Sequence, residues 1–210
     1  MVIREYRDGD AAGIVQISRD NARFYVALAP DHFRTPDEAG FVELFENDGP
    51  WRDAPNNLAL VAEMDGEVAG YLEASIQPPL ETARWQAQRD LGETRLAINF
   101  VGTGDAYKRQ GVGTALVEAA ETWGRSKGAA VAICDTYIDS PVSVPFWEER
   151  MGYSRRAIIF RKALEVRPSG PTAIVVLSGN EITSSHSTSD SRRRGSAEPR
   201  LRRRTTKERL

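Results

Sequence analysis

Gly111 and Gly113 stand one residue apart in Tyr107-Lys108-Arg109-Gln110-Gly111-Val112-Gly113-Thr114. They lie between an apolar, strand-like stretch, Leu96 to Thr103, and an amphipathic run that ends near Gly128. Glycines at the mouth of a helix let backbone N–H groups approach a bulky anion without Cβ interference, and the helix dipole adds partial positive charge there. Lys108 and Arg109 place two cations beside the pair. The chemistry this suits is the cradling of a phosphate or pyrophosphate. A strand-to-helix turn that uses glycine only for positive φ has the same local sequence, so the pair needs support from the rest of the chain.

Other side chains with chemical capacity are fewer. Glu73 and Asp135 are the carboxylates on expected strands that can reach a central cleft, although alternation sends every second side chain to the far face. Cys134, the single cysteine, sits in the apolar run Ala129 to Tyr137, where an inert core thiol is expected and an acetylated nucleophile is disfavoured. With His32 and His186 it supplies too few soft ligands for an ordinary structural zinc site, and no metal is expected.

The elements that must position these residues follow in order. Val2 to Tyr6 alternates as a first strand, and Asp8 or Asp10 can cap a helix carrying Ile14 and Ile17. A second helical piece through Phe24, Tyr25 and Leu28 stops at Pro30. Thr35-Pro36-Asp37-Glu38 reads as a capping box opening a third helix, with Phe41, Leu44 and Phe45 as its apolar face. Asn57 to Met64 and Glu67 to Ile76 are β-patterned and joined by Asp65-Gly66, a hairpin signal. Glu81 to Leu91 reads as a helix with Trp85 and Gln88 on neighbouring turns, either an insertion that shapes the acceptor site or a dimer contact, or a surface helix with one packed Trp. Leu96 to Thr103 is the central strand. The helix after it buries Val112, Leu116, Ala119, Ala120 and Trp123, with Gly128 as its C-cap. Ser140-Pro141 opens a last helix carrying Val144, Trp147 and Met151, ended by Gly152, and a final strand is expected from Tyr153 to about Leu164. This order predicts an α/β fold, a mixed sheet with helices on both sides.

The 210 residues support one domain and an appendage. Residues 1–166 hold 18 Lys and Arg against 26 Asp and Glu, whereas residues 167–210 hold 10 against 4. The expected division is therefore a folded domain over 1–166 and a Ser/Thr-rich, then Arg-rich tail over 167–210, read as disordered. The tail has no interleaved aromatic residues to stack on bases, so nucleic acid is not an expected partner. No run approaches 18 apolar residues and the N-terminus lacks an apolar signal core, which argues against a membrane and for a cytoplasmic location. The acidic body suits a cationic substrate, with Asp31, Asp37, Glu43, Glu46, Asp48 and Asp53 in one region; a solvated helix face would read the same way.

Lys108-Arg109-Gln110-Gly111-Val112-Gly113 resembles the pyrophosphate-binding signature of the GNAT N-acetyltransferase family, with Lys in the place of the usual Arg or Gln. Ser140-Pro-Val-Ser143-Val-Pro-Phe146-Trp147-Glu-Glu-Arg-Met151-Gly152-Tyr153 is similar to that family's last helix and the strand entry behind it. Phe160 to Leu164 resembles its final strand, so the likeness spans about residues 2 to 164. It implies a GNAT fold in which the two central strands splay apart, and acetyl-CoA as cosubstrate. A bulge is implied at the splay, with which Gly102 and Gly104 are compatible. It further implies backbone contacts from Arg109, Gln110, Gly111, Val112, Gly113 and Thr114 to the pyrophosphate, and from Val101, Gly102 and Thr103 to the pantetheine and the developing oxyanion. Ser140 stands where an Asn is usual. Ser143 is expected at the pantetheine or as a stabiliser of its helix. The position that often carries an acidic Tyr reads Trp147, whose indole N–H is too weak an acid to protonate a thiolate. Tyr137 is the expected substitute, unless solvent serves. Glu73 is the expected base, with Asn99 holding a relaying water.

The expected activity is direct transfer of an acetyl group from acetyl-CoA to a primary amine in a ternary complex. The acceptor is a small-molecule amine such as an aminoglycoside or polyamine; an amino acid, peptide or protein amine fits nearly as well. Two alternatives stay open, a non-catalytic acetyl-CoA-binding module and a carrier for a basic tail. Homodimers are common in the resembled family, and one is kept open here.

Overall fold

The computed structural model describes residues 1–37, 39, 40, 42, 43 and 53–162. Contacts divide the chain into Met1–Phe160 and Arg161–Leu210. Of the second unit only Arg161 and Lys162 are described, as exposed coil. The expected tail lies outside the described residues, as do Glu38, Phe41, Leu44, Phe45 and Glu46 of the expected third helix and Asp48 of the acidic region.

Five strands form one sheet in the order β1 to β5: Val2–Glu5, Asn57–Met64, Glu67–Gln77, Arg95–Thr103 and Val131–Cys134. The first four pair antiparallel and β5 joins β4 in parallel. At the β2–β3 hairpin Asp65 and Gly66 both take positive φ, 53° and 83°, the geometry whose twist matches flanking strands. Among the described residues two long helices pack on the sheet. α1, Ala11–Leu28, lies on one face, and α2, Val112–Ser126, on the other. Alternation in β2 serves both layers: Leu58, Leu60 and Ala62 join the cluster under α2, while Ala59 and Val61 join Ile14, Val15 and Ile17 of α1.

Several expectations are corrected. The two pieces expected between Asp10 and Pro30 are one 18-residue helix, since no Pro or Gly interrupts Ile14 to Leu28. Asp10 precedes it, but its carboxylate accepts from Arg7 N–H and Arg4 rather than from the helix. At the expected capping box Asp37, not Thr35, bonds the N–H of Gly40.

Glu81 to Leu91 is not a helix. It forms two short 3₁₀ turns, Ala83–Trp85 and Arg89–Gly92, closed by Leu80 N–H to Leu91 O at 2.8 Å. The segment lacks an apolar face to bury, and Trp85 is 69% exposed with Arg84 over its ring.

The final strand is absent among the described residues: 153–162 is irregular and exposed beyond Tyr153. Arg155 is paired with Glu148 and Arg156 with Asp90, and Ile158, Ile159 and Phe160 lie exposed. The last helix is short, α3 over Ser143–Pro145, running into a π-helical turn over Phe146–Arg150.

Candidate functional site

The site is built where β4 outruns β5. Pairing stops at Ile98 with Cys134, and β4 continues to Thr103 with no partner strand on that side among the described residues. The two strands therefore part, which is the expected splay. On its other edge β4 pairs with β3, Glu73 opposite Phe100 and Ala74 opposite Ile98, so Asn99 is the extra residue of a β-bulge. The bulge thus falls at Asn99 rather than at Gly102 or Gly104. Gly104 N–H bonds Ala69 O, and two-residue alternation turns the backbone groups of Gly102 toward β3 and those of Val101 and Thr103 into the gap. Gly102 has a packing reason as well, because a Cβ there would meet Ile17 Cγ2 at 2.8 Å.

At the gap's end the chain turns through Asp105–Tyr107 into α2. Arg109 and Gly111 take positive φ, 63° and 83°, and a Cβ on Gly111 would meet nothing within 4 Å. Glycine is needed there for conformation, not for space. The bond from Ala115 N–H to Gly111 O, 3.0 Å, opens the helical ladder, so the N–H groups of Val112, Gly113 and Thr114 point out of its end. Gly113 faces Phe146, whose ring a Cβ would touch at an ordinary 3.5 Å. Lys108 is paired with Asp105 at 2.5 Å, and Arg109 is exposed. Gln110 Nε2 donates to Ala106 O at 3.0 Å, holding the turn. Arg150, which the sequence did not single out, donates from Nε to Thr114 Oγ1 at 3.3 Å. Three cations and three open donors at a helix start can take a doubly charged phosphate group.

Glu73, Ser75 and Asn99 share the α1 side of the sheet. Glu73 Oε1 accepts from Tyr71 Oη–H at 2.6 Å, and Asn99 Nδ2 donates to Ser75 Oγ at 3.3 Å. Tyr137 lies beyond β5, its ring 5.3 Å from Phe33 and 5.6 Å from His32. Asp135 is exposed. Ser140 is buried and its Oγ accepts from Ser143 N–H at 3.1 Å, closing the turn that leads into α3. Ser143 Oγ in turn is 2.7 Å from Tyr25 Oη. Tyr25 was legible only as one apolar-face aromatic of α1, because its partner is 118 positions away.

Burial, and then the charge of Asp135, push the Cys134 thiol up to about 12, which keeps it neutral. Trp147 is buried in the core, its ring 4.9 Å from Tyr153. A depression of about 620 Å³ lined by Glu5, Arg7, Asp53, Trp123 and Lys127 lies at the opposite, C-terminal end of α2 and holds none of these residues.

A mixed sheet whose strands β4 and β5 part beside an open helix start is an α/β fold of the acetyltransferase type. The Acetyltransferase (GNAT) family profile matches residues 21–153, and the chain belongs to that family. An aminoglycoside N(6')-acetyltransferase type 1 from Klebsiella aerogenes is 33% identical over 89 residues, 42% of this chain. The chain spans about half, 54%, of that relative's length. Among solved structures, a transcriptional regulator from Bacillus halodurans superposes with a TM-score of 0.59 at 23% identity, over 78% of this chain and 99% of that one. An aminoglycoside antibiotic 6'-N-acetyltransferase from Acinetobacter haemolyticus gives 0.52 at 18% identity, over 79% and 100%. The fold is shared with both.

Proposed function

We infer that the chain transfers an acetyl group from acetyl-CoA to a primary amine of a polycationic small molecule of the aminoglycoside or polyamine type. The observation that carries this is the start of α2, where Gly111 in the left-handed region leaves three N–H donors open beside Lys108, Arg109 and Arg150. These residues fit the pyrophosphate of acetyl-CoA, which supplies the activated thioester. Lys108 must turn from Asp105 to reach it, an exchange between exposed charges of small cost. The backbone of Val101 and Thr103 faces the gap, where it would align the pantetheine and give an N–H to the carbonyl oxygen as charge develops on it. Glu73 is the proposed base for the amine's surplus proton, with Asn99, on the same α1 side of the sheet, holding a relaying water.

The likeness to the Klebsiella relative supports the aminoglycoside class, as does the acidic excess of residues 1–166. The domain boundary near residue 166 and a tail without a part in catalysis belong to the same reading.

The experiment is amine-dependent release of free thiol from acetyl-CoA by the full chain, across aminoglycosides, polyamines, amino acids and short peptides. Higher kcat/KM for the polycations supports the reading. Equal rates for every amine would remove the proposed acceptor class. Binding of acetyl-CoA without release would favour the second reading, a non-catalytic binder, which the burial of Trp147 at the usual Tyr position motivates.

A further inference from the structure

We propose that Tyr25 of α1 is the acid that protonates the departing thiol, a role resting on the transferase reading above. Trp147 cannot fill it. That side chain is 7% exposed, its ring 5.0 Å from Phe146 and 4.9 Å from Tyr153.

Three hydroxyls instead converge where β5 and α3 diverge. Tyr25 Oη lies 2.7 Å from Ser143 Oγ and 3.4 Å from Thr136 Oγ1, distances at which either member of each pair can donate. Thr136 is two residues beyond β5, and Ser143 is the first residue of α3. Tyr25 therefore reaches from the helix on one face of the sheet to the end of the strand that bounds the gap. Its ring is held 5.2 Å from Phe24 and 4.9 Å from Phe33. With Ser143 donating to Oη over the shorter of the two contacts, the phenolic proton is shared at most with the longer 3.4 Å contact to Thr136, and a thioester sulfur held at the mouth of the gap would compete for it as charge develops there. The Tyr137 ring, against Phe33 and His32, belongs to the aromatic wall behind Tyr25, and its hydroxyl takes no part in these bonds.

The step balances. As the acceptor nitrogen bonds to the acetyl carbon, the carbon–sulfur bond breaks and its electron pair goes to sulfur. The Tyr25 Oη–H proton follows that pair. The amine's surplus proton passes to Glu73, directly or through water, and on to solvent, and solvent returns one to the phenolate. Amine and thioester become amide and thiol, with the enzyme restored.

The test uses the full 210-residue chain and Tyr25→Phe, which keeps the ring and its aromatic contacts. CoA itself is the first probe, the ultraviolet absorption of its bound thiolate being titrated against pH. A phenol donating to sulfur stabilises the thiolate, so Tyr25→Phe is expected to raise the bound midpoint by about one pH unit. The unaltered chain answers without a variant: a bound midpoint at or above that of free CoA overturns the assignment. Thiol release with an aminoglycoside acceptor is expected to fall about 100-fold in kcat, with little change in the acetyl-CoA dissociation constant. Unmoved midpoint and kcat overturn the role, as does transfer of both effects to Tyr137→Phe. Weaker CoA binding with an unmoved midpoint leaves Tyr25 a structural prop and overturns it too. Absence of amine-dependent release from the unaltered chain overturns the transferase reading and the acid role with it. Release that continues while the midpoint ignores Tyr25→Phe overturns the acid role alone.

Discussion

Asp20 Oδ2 accepts a hydrogen bond from the backbone N–H of Asp105 at 3.3 Å, joining α1 to the turn that leads into the glycines. Asp20 also takes Gln16 Nε2 at 2.7 Å and the Arg23 guanidinium. One carboxylate thus fixes α1 against the turn that leads into α2.

Removing it tests that joint. Burial disfavours the charged form of Asp20, but the Asp105 N–H, Arg23 and Gln16 together outweigh this and hold the carboxyl below its ordinary 3.8. A depressed carboxylate stabilises the fold above its unfolded pKa and loses that contribution as pH falls through the folded value. Asp20→Ala is expected to cost about 1–3 kcal/mol at pH 7, by urea denaturation, and the deficit is expected to shrink below pH 4 as the native carboxyl protonates. A deficit that is the same at pH 3 would show that the charge is not what holds the turn.

Gly111→Ala forces a Cβ into the left-handed region at φ 83° and is expected to destabilise by about 1–2 kcal/mol. Gly113→Ala meets Phe146 at an ordinary 3.5 Å and is expected to stay within about 0.5 kcal/mol. Thermal melts of the two variants separate conformational need from mere smallness.

The sequence exposed some of this and hid the rest for identifiable reasons. Asp65-Gly66 and Gly111 are readable because each demands a backbone conformation that few residues adopt. The run from Val112 to Trp123 is readable because period and burial agree. The bulge at Asn99 is not, since a two-against-one register exists only once β3 and β4 are paired. Tyr25 was hidden in the same way by its distance along the chain from Ser143. The strand expected after Tyr153 rested on a likeness of residue types at Phe160 to Leu164, and residues 154–162 are irregular and exposed instead.

Cation replacement should show which charges an incoming phosphate meets. Arg109→Ala and Arg150→Ala are each expected to weaken acetyl-CoA binding about three- to tenfold at low salt, with the difference shrinking near 0.5 M salt. Calorimetry at both salt levels checks this. Stability should hardly change, because both side chains lie at the surface.

Cys134 offers a control on mechanism. With its thiol held up to about 12, alkylation at pH 8 should be slow and Cys134→Ala should still turn over. The raised value also means that the thiol's contribution to stability is lost as pH rises above its ordinary 9.0, where the unfolded thiol ionises and the folded one does not. A melting temperature that falls between pH 9 and 11 less steeply in Cys134→Ala checks the sign.

The most direct test supplies acetyl-CoA with an isotopically labelled acetyl group and an aminoglycoside, and follows the label by mass spectrometry. Direct transfer predicts one labelled acetyl as an amide on the aminoglycoside, free CoA in equal amount, and no label on the protein at any time. A labelled protein, or CoA release without labelled amide, would contradict it.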